Sequence, residues 1–113
     1  MDPVPKNPPE SMQRHLRHRL NARAKECWPQ LTRVQVRFRA GSAYVAGELP
    51  HETEALPLCR LRFTGVLHTW GFALYLASRD KYEDNLLPTG LPYGSPEEAL
   101  DCACGFYLGD PTT

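Results

Sequence analysis

The sequence predicts an α+β fold, a two-layer sandwich with the element order α-β-β-β-β-α. Two helices would cover one face of a four-stranded antiparallel meander. Three observations lead to this prediction: apolar residues recur every four positions near the start, alternate with polar residues through the middle, and follow a helix-capping signal near the end. Short connections between the strands favour antiparallel pairing of neighbours.

The first helix is predicted from Asn7 to Cys27. Asn7 fits the N-cap, Pro8 fits the first helical position, and Glu10 can reach back to the cap amide. The helix has one apolar stripe, made of Met12, Leu16, Leu20 and Ala24. The residue before Pro29 is pushed out of helical geometry, so the helix ends there.

Alternation with a period of two begins at residue 31 and predicts a half-buried strand. Val34 and Val36 would point to one side and Arg37 to the other. Further strands are predicted over residues 43–49, 58–64 and 69–77. Residues 79–94 are rich in Pro, Gly, Asp and Asn and are predicted to form a loop, with a short helical turn within 80–87.

The last helix has the clearest local signal in the chain. Ser95 as N-cap, Pro96 at the first helical position and Glu98 in capping-box spacing predict a helix that runs to about residue 108. Gly109 and Pro111 would end it.

A length of 113 residues fits one domain, predicted over residues 7–109, with a flexible lead at 1–6 and a tail at 110–113. No apolar stretch reaches the roughly 18 residues of a membrane span, and the first residues have no apolar signal core. We therefore expect a cytoplasmic protein that does not bind membranes. Its 4 cysteines are expected to be free thiols.

The formal net charge is zero, but the charges are unevenly distributed. Residues 1–50 hold nine Lys and Arg against four Asp and Glu, and residues 51–113 hold four against nine. The two parts therefore carry net charges of +5 and −5. Such asymmetry indicates an anionic partner, self-association through opposite patches, or pairing within the chain.

Four segments of the second half carry a resemblance: residues 70–75 (WGFALY), 81–84 (KYED), 87–90 (LPTG) and 96–103 (PEEALDCA). Over roughly residues 58–108 the chain resembles a group of small uncharacterised proteins from high-GC actinobacteria. The resemblance implies a bacterial source. It carries over no activity and no functional residue.

The leading functional hypothesis is a basic face of the sheet. Alternation places five arginines and two tyrosines on or near the face opposite the helices: Arg33, Arg37, Arg39, Arg60, Arg62, Tyr44 and Tyr75. Arginines around exposed rings can hold phosphates while the rings stack on bases. The predicted function is thus a non-enzymatic module for an anionic partner, either nucleic acid or an acidic protein. The alternatives are a solvated face that pairs with its own carboxylates, or a self-associating domain with complementary charged surfaces.

Other site chemistry has weaker support, and we predict no cofactor, no metal and no catalytic residue. Cys102 and Cys104 lack the spacing of a zinc knuckle, and no second pair of ligands follows His15 and His18. The acidic residues at 80–84 do not have the spacing of a calcium-binding EF-hand loop. A small-molecule enzyme therefore stays the least favoured alternative.

Overall fold

The computed structural model describes residues 7–109. The predicted lead and tail lie outside the described residues. The elements, in chain order, are α1 Glu10–Cys27, β1 Arg33–Arg39, β2 Ser42–Glu48, β3 Leu56–Phe63, β4 Trp70–Leu76, β5 Lys81–Asp84, β6 Tyr93–Gly94 and α2 Pro96–Leu108. The predicted α+β class is confirmed.

The sheet is antiparallel, with the order β1-β2-β3-β4-β5 and with β6 also paired to β4. Strands β1 to β4 form the predicted meander. The prediction of four strands was incomplete, because residues 79–94 also contribute β5 and β6. These two strands share the outer edge of β4, where β5 pairs with residues 73–76 and β6 with residues 70–71. Strands of 4 and 2 residues are too short to produce a readable alternation.

The helix predictions differ in their outcome. α2 forms as predicted, and its capping box has both bonds, from Glu98 N to Ser95 Oγ at 3.1 Å and from Ser95 N to Glu98 Oε1 at 3.0 Å. The prediction that Asn7 caps α1 was wrong, since the helix begins at Glu10. The Oδ1 atom of Asn7 instead accepts a hydrogen bond from Gly41 N at 2.9 Å. Asn7 thus binds a residue that is distant in sequence and does not cap α1.

The core lies between the two helices and one face of the sheet. The alternation predicted for β1 is confirmed, since Val34 and Val36 are 2% and 7% exposed while Arg37 is exposed. Three residues of the α1 stripe are buried in the same cluster: Leu16, Leu20 and Ala24. Within residues 7–109, no helix is long and apolar enough to cross a membrane.

Candidate anion-binding face of the sheet

The face of the sheet that points away from both helices carries two rows of side chains in register across the strands, and we call it the open face. One row contains Arg39, Ser42, Arg62, Gly71 and Tyr93, and the next contains Arg37, Tyr44, Arg60, Ala73 and Asp84. Tyr75 pairs with Tyr82, and Arg33 pairs with Glu48. All seven residues predicted from the sequence therefore occupy open-face positions.

The five arginines of the open face differ in whether they form an ion pair with a carboxylate. Arg33 Nε lies 3.6 Å from Glu48 Oε2, and Arg60 Nη2 lies 3.1 Å from Asp84 Oδ1. The other three form no ion pair with any carboxylate of residues 7–109: Arg37, Arg39 and Arg62. The alternative of a self-paired face thus applies to two arginines and not to the other three.

The three arginines without ionic partners lie around one point of the sheet. Arg37 and Arg39 are two residues apart on β1, which separates their Cα atoms by about 6.6 Å. Arg39 and Arg62 lie on either side of Ser42, since β2 runs between β1 and β3. All three side chains are exposed. The three positions are therefore neighbours on the sheet, and their side chains are accessible.

The position of Arg62 depends on a glycine in β4. A Cβ atom built at Gly71 would lie only 3.2 Å from Nη2 and 3.3 Å from Nε of Arg62. The guanidinium group therefore occupies the space that a side chain at Gly71 would fill. A larger residue at this position would force Arg62 to move.

Three tyrosines form one cluster on the open face, with Tyr82 at its centre. The Tyr82 ring centroid lies 5.1 Å from that of Tyr44 and 5.2 Å from that of Tyr75, in edge-to-face geometry at both contacts. Ala73 is only 1% exposed although it faces away from the helices, so side chains of the open face cover it. The tyrosines are therefore held in place rather than free in solvent.

Two of these tyrosines have raised pKa values. The hydroxyl of Tyr75 donates a hydrogen bond to the Asp80 carboxylate, and this bond raises the pKa of Tyr75 to about 12. Burial is the largest cause that raises the pKa of Tyr82. Both hydroxyls therefore stay protonated and neutral at physiological pH.

The cluster borders two depressions of the open face. One has a volume of about 380 Å³ and is lined by Arg37, Phe38, Arg39, Tyr44 and Tyr82. The other, of about 370 Å³, shares Arg37, Tyr44 and Tyr82 with the first and adds Gln35, Ala46, Glu54, Ala55 and Pro57. The shared side chains thus lie at the boundary between the two.

Three arginines of α1 make contacts within the fold and do not extend the open face. Arg19 pairs with Glu97 at 2.6 Å, and Arg23 pairs with Asp101 at 2.6 Å, so both side chains join α1 to α2. Arg17 donates to Val36 O and lies 5.1 Å over the ring of Phe38. These three arginines belong to the basic first half of the chain, and their charged groups bind partners within the protein.

The acidic residues considered as a cation site all have protein partners. Asp80 accepts the hydroxyl of Tyr75, and Asp84 pairs with Arg60. Glu83 Oε2 lies 3.5 Å from Nη1 of Arg79. Among residues 7–109, no group of three or more His, Cys, Asp or Glu side chains is placed to hold a metal ion.

The histidines and cysteines are also dispersed. His15 and His18 are both exposed on α1, and the Nδ1 atom of His68 lies 2.9 Å from Arg19. Cys59 and Cys104 are buried, and all four thiols are free. Burial raises the pKa of Cys59 far above its ordinary value, so this thiol is protonated and unreactive.

Sequence reasoning missed two tyrosines of the open face. Residues 79–94 were predicted to form a loop, whereas Tyr82 lies in β5 and Tyr93 lies in β6. Tyr93 is in register with Gly71 and is 47% exposed. In the structure, β5 follows a sharp turn in which Asp80 has a φ of 49°. The actinobacterial resemblance remains a prediction, because no family model, curated protein or solved structure matches this chain.

Proposed function

We propose that the protein is a non-enzymatic binding module of the bacterial cytoplasm, and that its open face binds nucleic acid. The observation that carries this proposal is the group formed by Arg37, Arg39 and Arg62 on the face that the helices leave uncovered. These arginines are exposed and form no ion pair within residues 7–109. An anion can therefore bind them without displacing a carboxylate.

Guanidinium groups suit phosphate because their planar donors form two parallel hydrogen bonds to its oxygens. Ser42, between Arg39 and Arg62, adds a hydroxyl at the same point of the sheet. The paired arginines contribute less, since Arg60 would first have to leave Asp84. Binding is thus expected to depend mainly on the three arginines without ionic partners.

Nucleic acid fits this face better than an acidic protein does. Tyr44 lies between Arg37 and Arg60 in register, and its ring contacts Tyr82. Rings that alternate with guanidinium groups match a polymer in which planar bases alternate with phosphates. An acidic peptide would use the arginines and leave the rings without a role.

The proposal is tested by replacing the three arginines together, as Arg37→Ala, Arg39→Ala and Arg62→Ala. Binding of random single-stranded DNA and RNA oligonucleotides is measured by fluorescence anisotropy across a salt series. The variant should bind about ten-fold more weakly at low salt. Loss of three phosphate contacts should also make the slope of log affinity against log salt shallower by about 2.

A matched control removes three positive charges elsewhere, as Arg14→Ala, Lys25→Ala and Arg79→Ala, all at exposed positions. This control should keep the wild-type affinity and salt slope. Absence of binding by the wild type at low salt, or an equal loss in both triple variants, would refute the proposal. Binding of polyglutamate in preference to both nucleic acids would identify an acidic protein as the partner instead.

A further inference from the structure

The two depressions differ in charge, although the same three side chains border both. The first adds Arg39 to this boundary, and no acidic side chain of residues 7–109 lines it. The second adds the carboxylate of Glu54. Because Glu54 offsets the charge of Arg37 in the second depression, a phosphate is attracted more strongly to the first.

Tyr82 lies at the boundary between the two depressions. Tyr82 lines both depressions, and its two ring neighbours contact it in edge-to-face geometry. A planar base next to Tyr82 would replace water on apolar ring surface, while its phosphate reaches Arg37 and Arg39. A base that is stacked and paired inside a duplex cannot make this contact, because only its edges are accessible in the grooves.

We infer that the open face selects single-stranded over double-stranded nucleic acid, with an unpaired base stacked against Tyr82 and its phosphate held by Arg37 and Arg39. This inference rests on the proposed function and specifies its substrate class. Stacking is tolerant of base identity, since every base has a π-face. The selection is therefore for an unpaired strand and not for a particular sequence.

The test compares three probes of similar length by fluorescence anisotropy and competition: a mixed-sequence single-stranded oligonucleotide, the corresponding duplex, and inorganic polyphosphate. The wild type should bind the single strand at least about ten-fold more tightly than the duplex. The variant Tyr82→Leu should lose about ten-fold in affinity for the single strand. Its affinity for polyphosphate and its salt slope should stay unchanged, because the arginines are intact.

The matched control is Phe106→Leu, which removes an aromatic ring that is 62% exposed on α2, away from the open face. It should behave as the wild type does with all three probes. The variant Tyr82→Phe keeps the ring and should retain most of the preference for the single strand. Circular dichroism of each variant shows whether the fold is preserved.

A measurement on the wild type does not depend on how the variants fold. In an NMR titration, the ring protons of Tyr82 should shift with the single-stranded oligonucleotide and stay in place with polyphosphate. Equal affinity for single strand and duplex, or an unperturbed Tyr82 ring at saturation, overturns this inference alone. Failure of all three probes to bind at low salt instead overturns the proposed function.

Discussion

Asp101 joins three parts of the molecule through one carboxylate. Its Oδ2 atom accepts from Arg23 Nη2 at 2.6 Å, and its Oδ1 atom accepts from Trp28 Nε1 at 2.9 Å. Trp28 is only 1% exposed, so its indole N–H depends on this partner. A carboxylate that satisfies a buried donor contributes more to stability than a solvated ion pair does.

The variant Asp101→Ala should therefore lower the free energy of unfolding by about 1–3 kcal/mol, because it leaves the Trp28 N–H buried without an acceptor. Urea denaturation followed by tryptophan fluorescence measures the change. The control Glu26→Ala removes the other carboxylate near Arg23, which is 73% exposed and 4.0 Å away. It should change stability by less than about 0.5 kcal/mol, and an equal loss in both variants would contradict the argument.

At the scale of elements, the outer edge of β1 is covered by side chains of α1. Asn21 binds both backbone groups of Val34, since it accepts from Val34 N at 2.9 Å and donates to Val34 O at 3.1 Å. Arg17 donates to Val36 O at 3.3 Å. These side chains take the place of a further strand, and they protect an edge that would otherwise be open to pairing with another chain.

We expect Asn21→Ala to destabilise the protein by about 1–3 kcal/mol, since the backbone groups of Val34 lose their partners beneath α1. Thermal or urea unfolding measures this loss. Hydrogen exchange should also show faster exchange at the Val34 amide. His18→Ala, at an exposed position of the same helix, serves as the control and should leave both measurements unchanged. A slow Val34 amide in Asn21→Ala would show that the edge is protected by other means.

The elements that sequence reasoning predicted correctly are those whose determinants are local. The capping box of α2 lies within four consecutive residues, and the alternation of β1 extends over seven. The start of α1 was mispredicted because Asn7 binds Gly41, which lies 34 positions away. Strands β5 and β6 were missed because they form on the exposed edge of β4, and no local pattern encodes that edge.

For the whole molecule, two ion pairs among residues 7–109 join the basic half of the sequence to the acidic half inside one chain. Arginines of the basic half pair with acidic residues of the second half at the interface of α1 and α2: Arg19 with Glu97 and Arg23 with Asp101. Opposite charges that already meet within a chain offer less to a second copy. The alternative of self-association through complementary surfaces is weakened for this reason and by the protected edge of β1.

We therefore expect the protein to be a monomer at both low and high salt. Light scattering coupled to size-exclusion chromatography measures the molar mass at each salt concentration. The Arg37, Arg39 and Arg62 triple alanine variant serves as a comparison, since charge-driven association through the open face would be lost in it. A wild-type dimer that dissociates at high salt would restore the self-association hypothesis.

Sequence patterns alone predicted the α+β class, the meander of the first four strands and the separation of Val34 from Arg37 onto opposite faces. These properties follow from periodicity and short connections, which are local. The pairing of the arginines and the contact between Tyr82 and Tyr44 became visible only in the three-dimensional fold. Both outcomes depend on side chains that are distant in sequence and close in space, because the register of a sheet is set by all of its strands together.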